Sequence, residues 1–259
     1  MAERQAPSET SFEAVAPFYD ELMQGVPYRF WVTYLKRLWK HFSLEPESVL
    51  DLACGTGTIA ILLAEEGYRV AGVDLSEPML VEARKKAASA GLTIDFMHQD
   101  AARLDLGERR FDCVVSFFDS LNNILDPADL QAAFSGVYRH VAAGGLFIFD
   151  INTEYAFIEG MFNQRSTPLD GPLQYDWRAR YDPAARLCTI TMDFAFTHSP
   201  GEPPQRFREV HLQRAYDRSD VLAMLENAGF SNTRVFDAYT LSPPKRRSDR
   251  VFYITRRLA

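Results

Sequence analysis

The run Val49-Leu50-Asp51-Leu52-Ala53-Cys54-Gly55-Thr56-Gly57-Thr58-Ile59-Ala60 leaves this chain few ways to fold. Its first part, from Ser48 to Ala53, is apolar enough for a strand buried on both faces. Two glycines end it, and Ile59, Leu62 and Leu63 then fall at helical spacing. A strand must therefore turn sharply into a helix. Gly55 and Gly57 allow that turn and let a ligand approach the backbone. The helix start directs free N–H groups and a partial positive charge over the turn. Asp51 adds a carboxylate at the strand's C-terminal edge. Such a unit forms the ligand-binding mouth of a doubly wound α/β sheet.

Beyond Ala60 the chain keeps a β/α rhythm. Arg69 to Val73 reads as a short strand with Asp74 at its tip, and Ser76 caps a helix running to Ala90. Thr93 to His98 is a third strand, ending at Gln99-Asp100-Ala101, and Phe111 to Phe117 is a fourth. Asp126-Pro127 opens a helix with Leu130, Phe134, Val137 and Val141 on one stripe. Ala143-Gly144-Gly145 stops it, and Leu146 to Asp150 is the fifth strand. Five strands alternating with helices predict a parallel sheet with right-handed crossovers. Ser219 to Ala228 is a further helix, and Thr233 to Tyr239 and Arg250 to Arg256 close a seven-stranded sheet.

Two regions depart from the rhythm. Before the first strand, residues to Ser11 read as a loose arm, and Phe12 to Phe42 as aromatic-rich helix broken at Gly25 and Pro27. After the fifth strand, Leu173 to Tyr181, Leu187 to His198 and Gln205 to Tyr216 alternate as strands do, separated by turn-like segments. The expected organisation is an N-terminal helical cap (1–43), a sheet domain (44–150 and 217–259) and an inserted antiparallel β lid (151–216). The inserted sheet also offers a surface for a homodimer.

The formal charge of -7 gives no general reason to bind nucleic acid or an anionic membrane. Cys54, Cys113 and Cys188 are odd in number and widely spaced, which reads as reduced thiols in a cytoplasmic protein. The polar opening residues do not form a signal peptide, and no run approaches a membrane span. No His, Asp or Glu cluster suggests a metal.

Asp51, Asp74 and Asp100 each end a successive strand. Asp74 is placed to accept from both hydroxyls of a ribose, Asp100 from a purine's exocyclic amine with the Ala101 N–H beside it, and Asp51 from an ammonium group. An adenosine site fits two cofactors. Gly55-Thr56-Gly57-Thr58-Ile59-Ala60 satisfies G-x-G-x-x-A with Asp74 about twenty residues on, which keeps a nicotinamide dinucleotide open. Against it, the Asp51 carboxylate suits an ammonium group and repels a pyrophosphate.

These residues resemble class I S-adenosylmethionine-dependent methyltransferases. Val-Leu-Asp-Leu-Ala-Cys-Gly-Thr-Gly-Thr looks like their first motif, and Val70 to Ser76 with Met79-Leu80 is similar to their ribose motif. His98-Gln99-Asp100-Ala101 resembles the adenine motif and Phe111 to Phe117 the fourth strand. Ala53 stands where many members carry their first glycine. Tyr19-Asp20, Tyr28-Arg29-Phe30-Trp31 and the inserted strands resemble the small-molecule branch that includes amino-sugar N,N-dimethyltransferases and glycine/sarcosine-type enzymes. The resemblance implies a Rossmann-like fold, S-adenosyl-L-methionine as cofactor, and a small-molecule substrate methylated at an amine nitrogen. A hydroxyl acceptor and a catalytically silent cofactor-binding subunit are the alternatives.

The resemblance places the cofactor among Tyr19, Tyr28, Trp31, Asp51, Ala53 and Gly55, with Gly57, Asp74, Leu75 and Met79 beside them. Asp100, Ala101, Phe117 and Asn122 complete the expected site. The stretch Phe118-Asp119-Ser120-Leu121-Asn122-Asn123 lies where that branch lines its methyl-transfer site. For the chemistry, Asn122, Tyr19 and His211 are the candidates. His211 shares one face of the third inserted strand with Phe207, Glu209 and Gln213, and is expected to accept a proton or bind the substrate.

Overall fold

The computed structural model describes residues 12–166, 173–197 and 203–258. The expected loose arm at the start and His198 lie outside these residues. Seven strands form the main sheet: β1 (Ser48–Leu52), β2 (Arg69–Asp74), β3 (Asp95–His98), β4 (Phe111–Ser116), β5 (Val141–Asn152), β10 (Ser231–Asp237) and β11 (Arg250–Arg256). Their order is β10-β11-β5-β4-β1-β2-β3. β1 to β5 pair in parallel, and β11 is antiparallel to both β5 and β10. The fold is the expected Rossmann-like α/β arrangement, doubly wound about β1.

Alternation along the strands divides the core into two faces. Leu50, Leu52, Val114, Phe147 and Phe149 pack with Leu130, Phe134 and Val137 of α5 (Pro127–His140) and with Val221 and Leu225 of α7 (Arg218–Asn227). Val49, Cys113, Val115 and Ile148 face the other way, against Leu35, Leu38 and Trp39 of α2 (Tyr28–His41) and Leu63 of α3 (Thr58–Glu65). Trp39 Nε1 donates to Cys113 Sγ at 3.3 Å, so this cysteine is a packing residue of the sheet. Among the described residues, no helix is long and apolar enough to cross a membrane.

Glycine is required at 57 for a reason beyond the turn. Its φ is +73°, and a Cβ there would lie 2.8 Å from the Phe96 ring and 3.1 Å from Ala83 of α4 (Glu77–Ser89). Gly57 lets α3 settle against its neighbours. At the edge between β4 and β5, the glycine pair Gly144-Gly145 does not end the helix before a new strand. β5 starts at Val141, and its register passes from Phe111 opposite Val141 to Cys113 opposite Leu146, so the glycines form an irregularity inside the strand.

The N-terminal residues divide between two jobs. α2 is a covering helix of the main sheet, its Tyr34 hydroxyl donating to Thr240 O at 2.7 Å. Only the strap before it, Phe12 to Met23 with the short helix α1 (Tyr19–Leu22), rests on the inserted sheet. That sheet has four strands in the order β6-β7-β8-β9: β6 (Gln164–Arg165), β7 (Leu173–Asp182), β8 (Leu187–Phe196) and β9 (Gln205–Arg214). Cys188, Ile190, Met192 and Phe194 alternate inward along β8, as a half-buried strand requires. β6 and the short helix α6 (Glu154–Ile158) are not apparent from the sequence pattern.

Candidate active site

One cavity of about 740 Å³ lies between the C-terminal tips of the parallel strands, the strap and the inserted sheet. Its floor is the glycine turn. Gly57 N donates to Cys54 O at 2.8 Å, and Gly55 N donates to Asp74 Oδ2 at 2.7 Å. A Cβ on Gly55 would meet no protein atom within 4 Å, so this residue borders open space. Ala53 has φ +58°, a left-handed conformation that explains why glycine suits this position. Asp51 is 3% exposed, and its Oδ2 accepts from Ala60 N at 3.1 Å inside α3.

Asp74 and Asp100 stand on the same rim. Asp74 Oδ1 accepts from Ser76 N at 2.8 Å, so both its oxygens orient backbone while the residue lines the cavity. Asp100 accepts from Ala102 N at 2.9 Å and pairs with Arg103, capping a short 3-10 turn. Met79, Ala101 and Phe117 form apolar wall, and Leu75 is 66% exposed beside them.

Tyr19, Tyr28 and Trp31 close the near side. Burial, with Tyr28, Asp119, Asp74 and Asp20 nearby, pushes the Tyr19 phenol well above its ordinary value. Tyr19 lines the cavity as a neutral phenol at neutral pH.

Two expected residues are not at the cavity. Gly57 is turned into packing with Phe96. Asn122 is fully buried: its Nδ2 donates to Asn152 O at 3.1 Å and Arg214 O at 2.8 Å, and its Oδ1 accepts from Asn152 N at 2.9 Å. With both amide donors used and the side chain fully buried away from the cavity lining, Asn122 does not face a ligand. It is a structural tie.

Asp119, three residues earlier, takes the cavity position instead. Phe118 and Asp119 have φ of +68° and +51°, two left-handed non-glycine residues in a row. Each such residue costs on the order of 1–3 kcal/mol and persists only where its surroundings hold it. The holding groups are plain. Arg250 Nη2 donates to Asp119 Oδ1 at 2.6 Å, Gln213 Nε2 to Asp119 Oδ2 at 2.7 Å, and Asp119 N to Asp150 Oδ2 at 3.0 Å. Arg250 also pairs with Asp150.

On the inserted sheet, His211 and Glu209 are 1% and 5% exposed, and His211 lines the cavity. His211 Nε2 lies 2.7 Å from Glu209 Oε2, and Glu209 Oε1 accepts from Val15 N of the strap at 2.9 Å. The Phe12 ring meets the imidazole edge-on with centroids 4.2 Å apart. Glu209 accepts from Nε2–H, which leaves Nδ1 as the ring's other nitrogen, and Nδ1 has no partner in the protein.

A model of the methyltransferase domain matches residues 49–145. The Bacillus subtilis protein YqeM, a methyltransferase by assignment, is 35% identical over 243 residues, covering 93% of this chain and 95% of its own. The chain belongs to the S-adenosylmethionine-dependent methyltransferases. The crystal structure of one such enzyme from Clostridium acetobutylicum superposes with a TM-score of 0.83 at 30% identity, covering 96% of this methyltransferase and all of that chain. The dTDP-3-amino-3,4,6-trideoxy-alpha-D-glucopyranose N,N-dimethyltransferase of Streptomyces venezuelae is 32% identical over 189 residues, 71% of this chain and 76% of its own. Membership makes S-adenosylmethionine the cofactor and sets the dinucleotide alternative aside. The cavity's chemistry fits it: three carboxylates on successive strand tips, an apolar wall, and open space over Gly55.

Proposed function

We propose that this methyltransferase acts on a small molecule at an amine nitrogen, with His211 taking the proton and Glu209 positioning the imidazole. The observation that carries this reading is the buried Glu209–His211 pair on the cavity wall with Nδ1 unpartnered. An amine attacks only when neutral, so a base beside the nucleophile raises the reactive fraction and accepts the proton that leaves. Glu209 favours the imidazolium that results and fixes which nitrogen faces the substrate.

Bound S-adenosylmethionine supplies a methyl carbon already activated by its sulfonium. The protein's share is alignment and exclusion of water. In this reading Asp74 and Leu75 hold the ribose edge, Asp100 and Ala101 the adenine, Asp51 with the Gly55 turn the amino-acid end, and Tyr19, Tyr28 and Trp31 cover them. The family resemblance and their common cavity support these roles. The strap that carries Tyr19 also supplies the Val15 N–H to Glu209, so closing the cavity and aligning the base are one event.

The test is release of S-adenosylhomocysteine from a panel of amine and hydroxyl metabolites. Activity confined to amines is expected, and activity confined to hydroxyl compounds would reject the nitrogen acceptor. With an amine substrate in hand, His211→Ala should lower kcat/KM by roughly 10²–10⁴-fold. Glu209→Gln, which offers one accepting oxygen to the two donors that Glu209 serves, should lower kcat by releasing the imidazole while leaving cofactor affinity alone. Unchanged kcat/KM in His211→Ala would remove His211 from the chemistry.

A further inference from the structure

The cavity's charge pattern says what form of amine it takes. Among the described residues that line it there is no lysine or arginine, while Glu13, Asp51, Asp74, Asp100 and Asp119 are all acidic; Arg103 and Arg250, outside the lining, pair with Asp100 and Asp119. Segments 167–172 and 198–202 contain no lysine or arginine either, and residues 1–11 contain one, Arg4. A nucleoside diphosphate is held by arginine or lysine, or by a helix N-terminus free of competing charge. Here the start of α3 is flanked by Asp51 and Asp74.

What the substrate end presents is neutral. Trp177 Nε1, His211 Nδ1, Gln213 Oε1 and Asn123 Oδ1 are buried, have no hydrogen-bond partner, and belong to side chains lining the cavity. Buried polar atoms left unpaired cost free energy, which a ligand's hydroxyl, carbonyl or amine would recover. Tyr28 and Trp31 add rings within one aromatic cluster and Glu13 adds a carboxylate at the mouth, while Arg250 already engages Asp119 and the Phe118 ring. Rings and carboxylates together favour an organic cation.

We infer that the substrate of this methyltransferase is a free amine, cationic at its acceptor nitrogen, bearing hydroxyl or carbonyl groups and no phosphate or nucleotide. The inference rests on the nitrogen-acceptor reading, and it separates this chain from the Streptomyces venezuelae relative, whose name specifies a dTDP-linked sugar. The amine enters as its ammonium, loses its proton to His211 and leaves with one more methyl, again able to carry charge.

Two probes titrated into the enzyme saturated with S-adenosylhomocysteine test the charge class without knowing the substrate. Tetramethylammonium should bind measurably by calorimetry, and Glu13→Lys, which places a cation at the mouth, should weaken it by about threefold or more. Thymidine diphosphate should show no binding to the wild type up to about 5 mM. Binding of thymidine diphosphate, or no binding of tetramethylammonium, overturns the inference whatever the turnover. Turnover of an amino sugar and its nucleoside-diphosphate conjugate then separates the two readings. S-adenosylhomocysteine from the conjugate alone overturns the free-amine inference and leaves the nitrogen acceptor standing. Release from hydroxyl compounds alone overturns the nitrogen acceptor, and the charge probes still judge the cavity.

Discussion

Burial pushes the Asp51 carboxyl up to about 8; the Ala60 N–H works against this and the Asp74 charge adds to it. In the unfolded chain the same group titrates near 4, roughly. Between those two values the native protein binds more protons than the unfolded one, so stability without cofactor falls as pH rises from about 4 toward 8. Asp51→Asn keeps an acceptor for Ala60 and removes that slope. Urea denaturation of the cofactor-free protein should show the variant gaining on the wild type between pH 5 and pH 8.5, by on the order of a few kcal/mol at the upper end. Parallel curves would place the charge elsewhere. The three rim carboxylates are readable in the sequence because each follows a strand. Asp119 is not. The stretch from Phe118 to Asn123 stands out, but consecutive left-handed residues decide which side chain meets the cavity, and non-glycine residues give no warning of positive φ. The turn presents Asp119 and buries Asn122.

The strap is held at both ends by different chemistry. Glu209 and His211 receive one end through Val15 N and Phe12, while Asp20 at the other accepts from Lys86 Nζ at 2.7 and 2.8 Å and from Thr56 Oγ1 at 2.6 Å. Lys86 also donates to Thr58 Oγ1 at 2.8 Å, so the latch closes directly onto the start of α3. A partly exposed ion pair adds about 0–1 kcal/mol to global stability. Lys86→Met should therefore leave the denaturation midpoint nearly unchanged, while hydrogen exchange across residues 12–23 accelerates and the substrate KM rises. Unaltered exchange there would mean the strap is held by its aromatic contacts alone. The long elements are legible: the glycine turn, the Ser76 and Asp126 caps and the alternation of β7 to β9 all carry strong local patterns. α6 and β6 are not. One spans Glu154–Ile158 and the other Gln164–Arg165, too short for periodicity to register, and β6 exists only through its pairing with Trp177 and Asp176.

Across the whole molecule, the last strand completes the site. Arg250 joins Asp119 from 131 residues away, and together with Asp150 it forms a mostly buried triad under the cavity. Removing one member of such a set leaves its partners as uncompensated charge, so Arg250→Met should cost about 3–5 kcal/mol in chemical denaturation. A loss below about 1 kcal/mol would show that water already screens the pair. Nothing in the sequence links these positions, since contact between strand tips follows from the order of the sheet. That order also brings the two necks of the inserted segment together, where Asn122 donates to Asn152 O on the way out and Arg214 O on the way back. The segment leaves and re-enters at one stitched point, so it can be treated as a cassette. Grafting the corresponding stretch from a relative with a different acceptor would leave the rim carboxylates in place, and new specificities can arise here without rebuilding the methyl donor's seat.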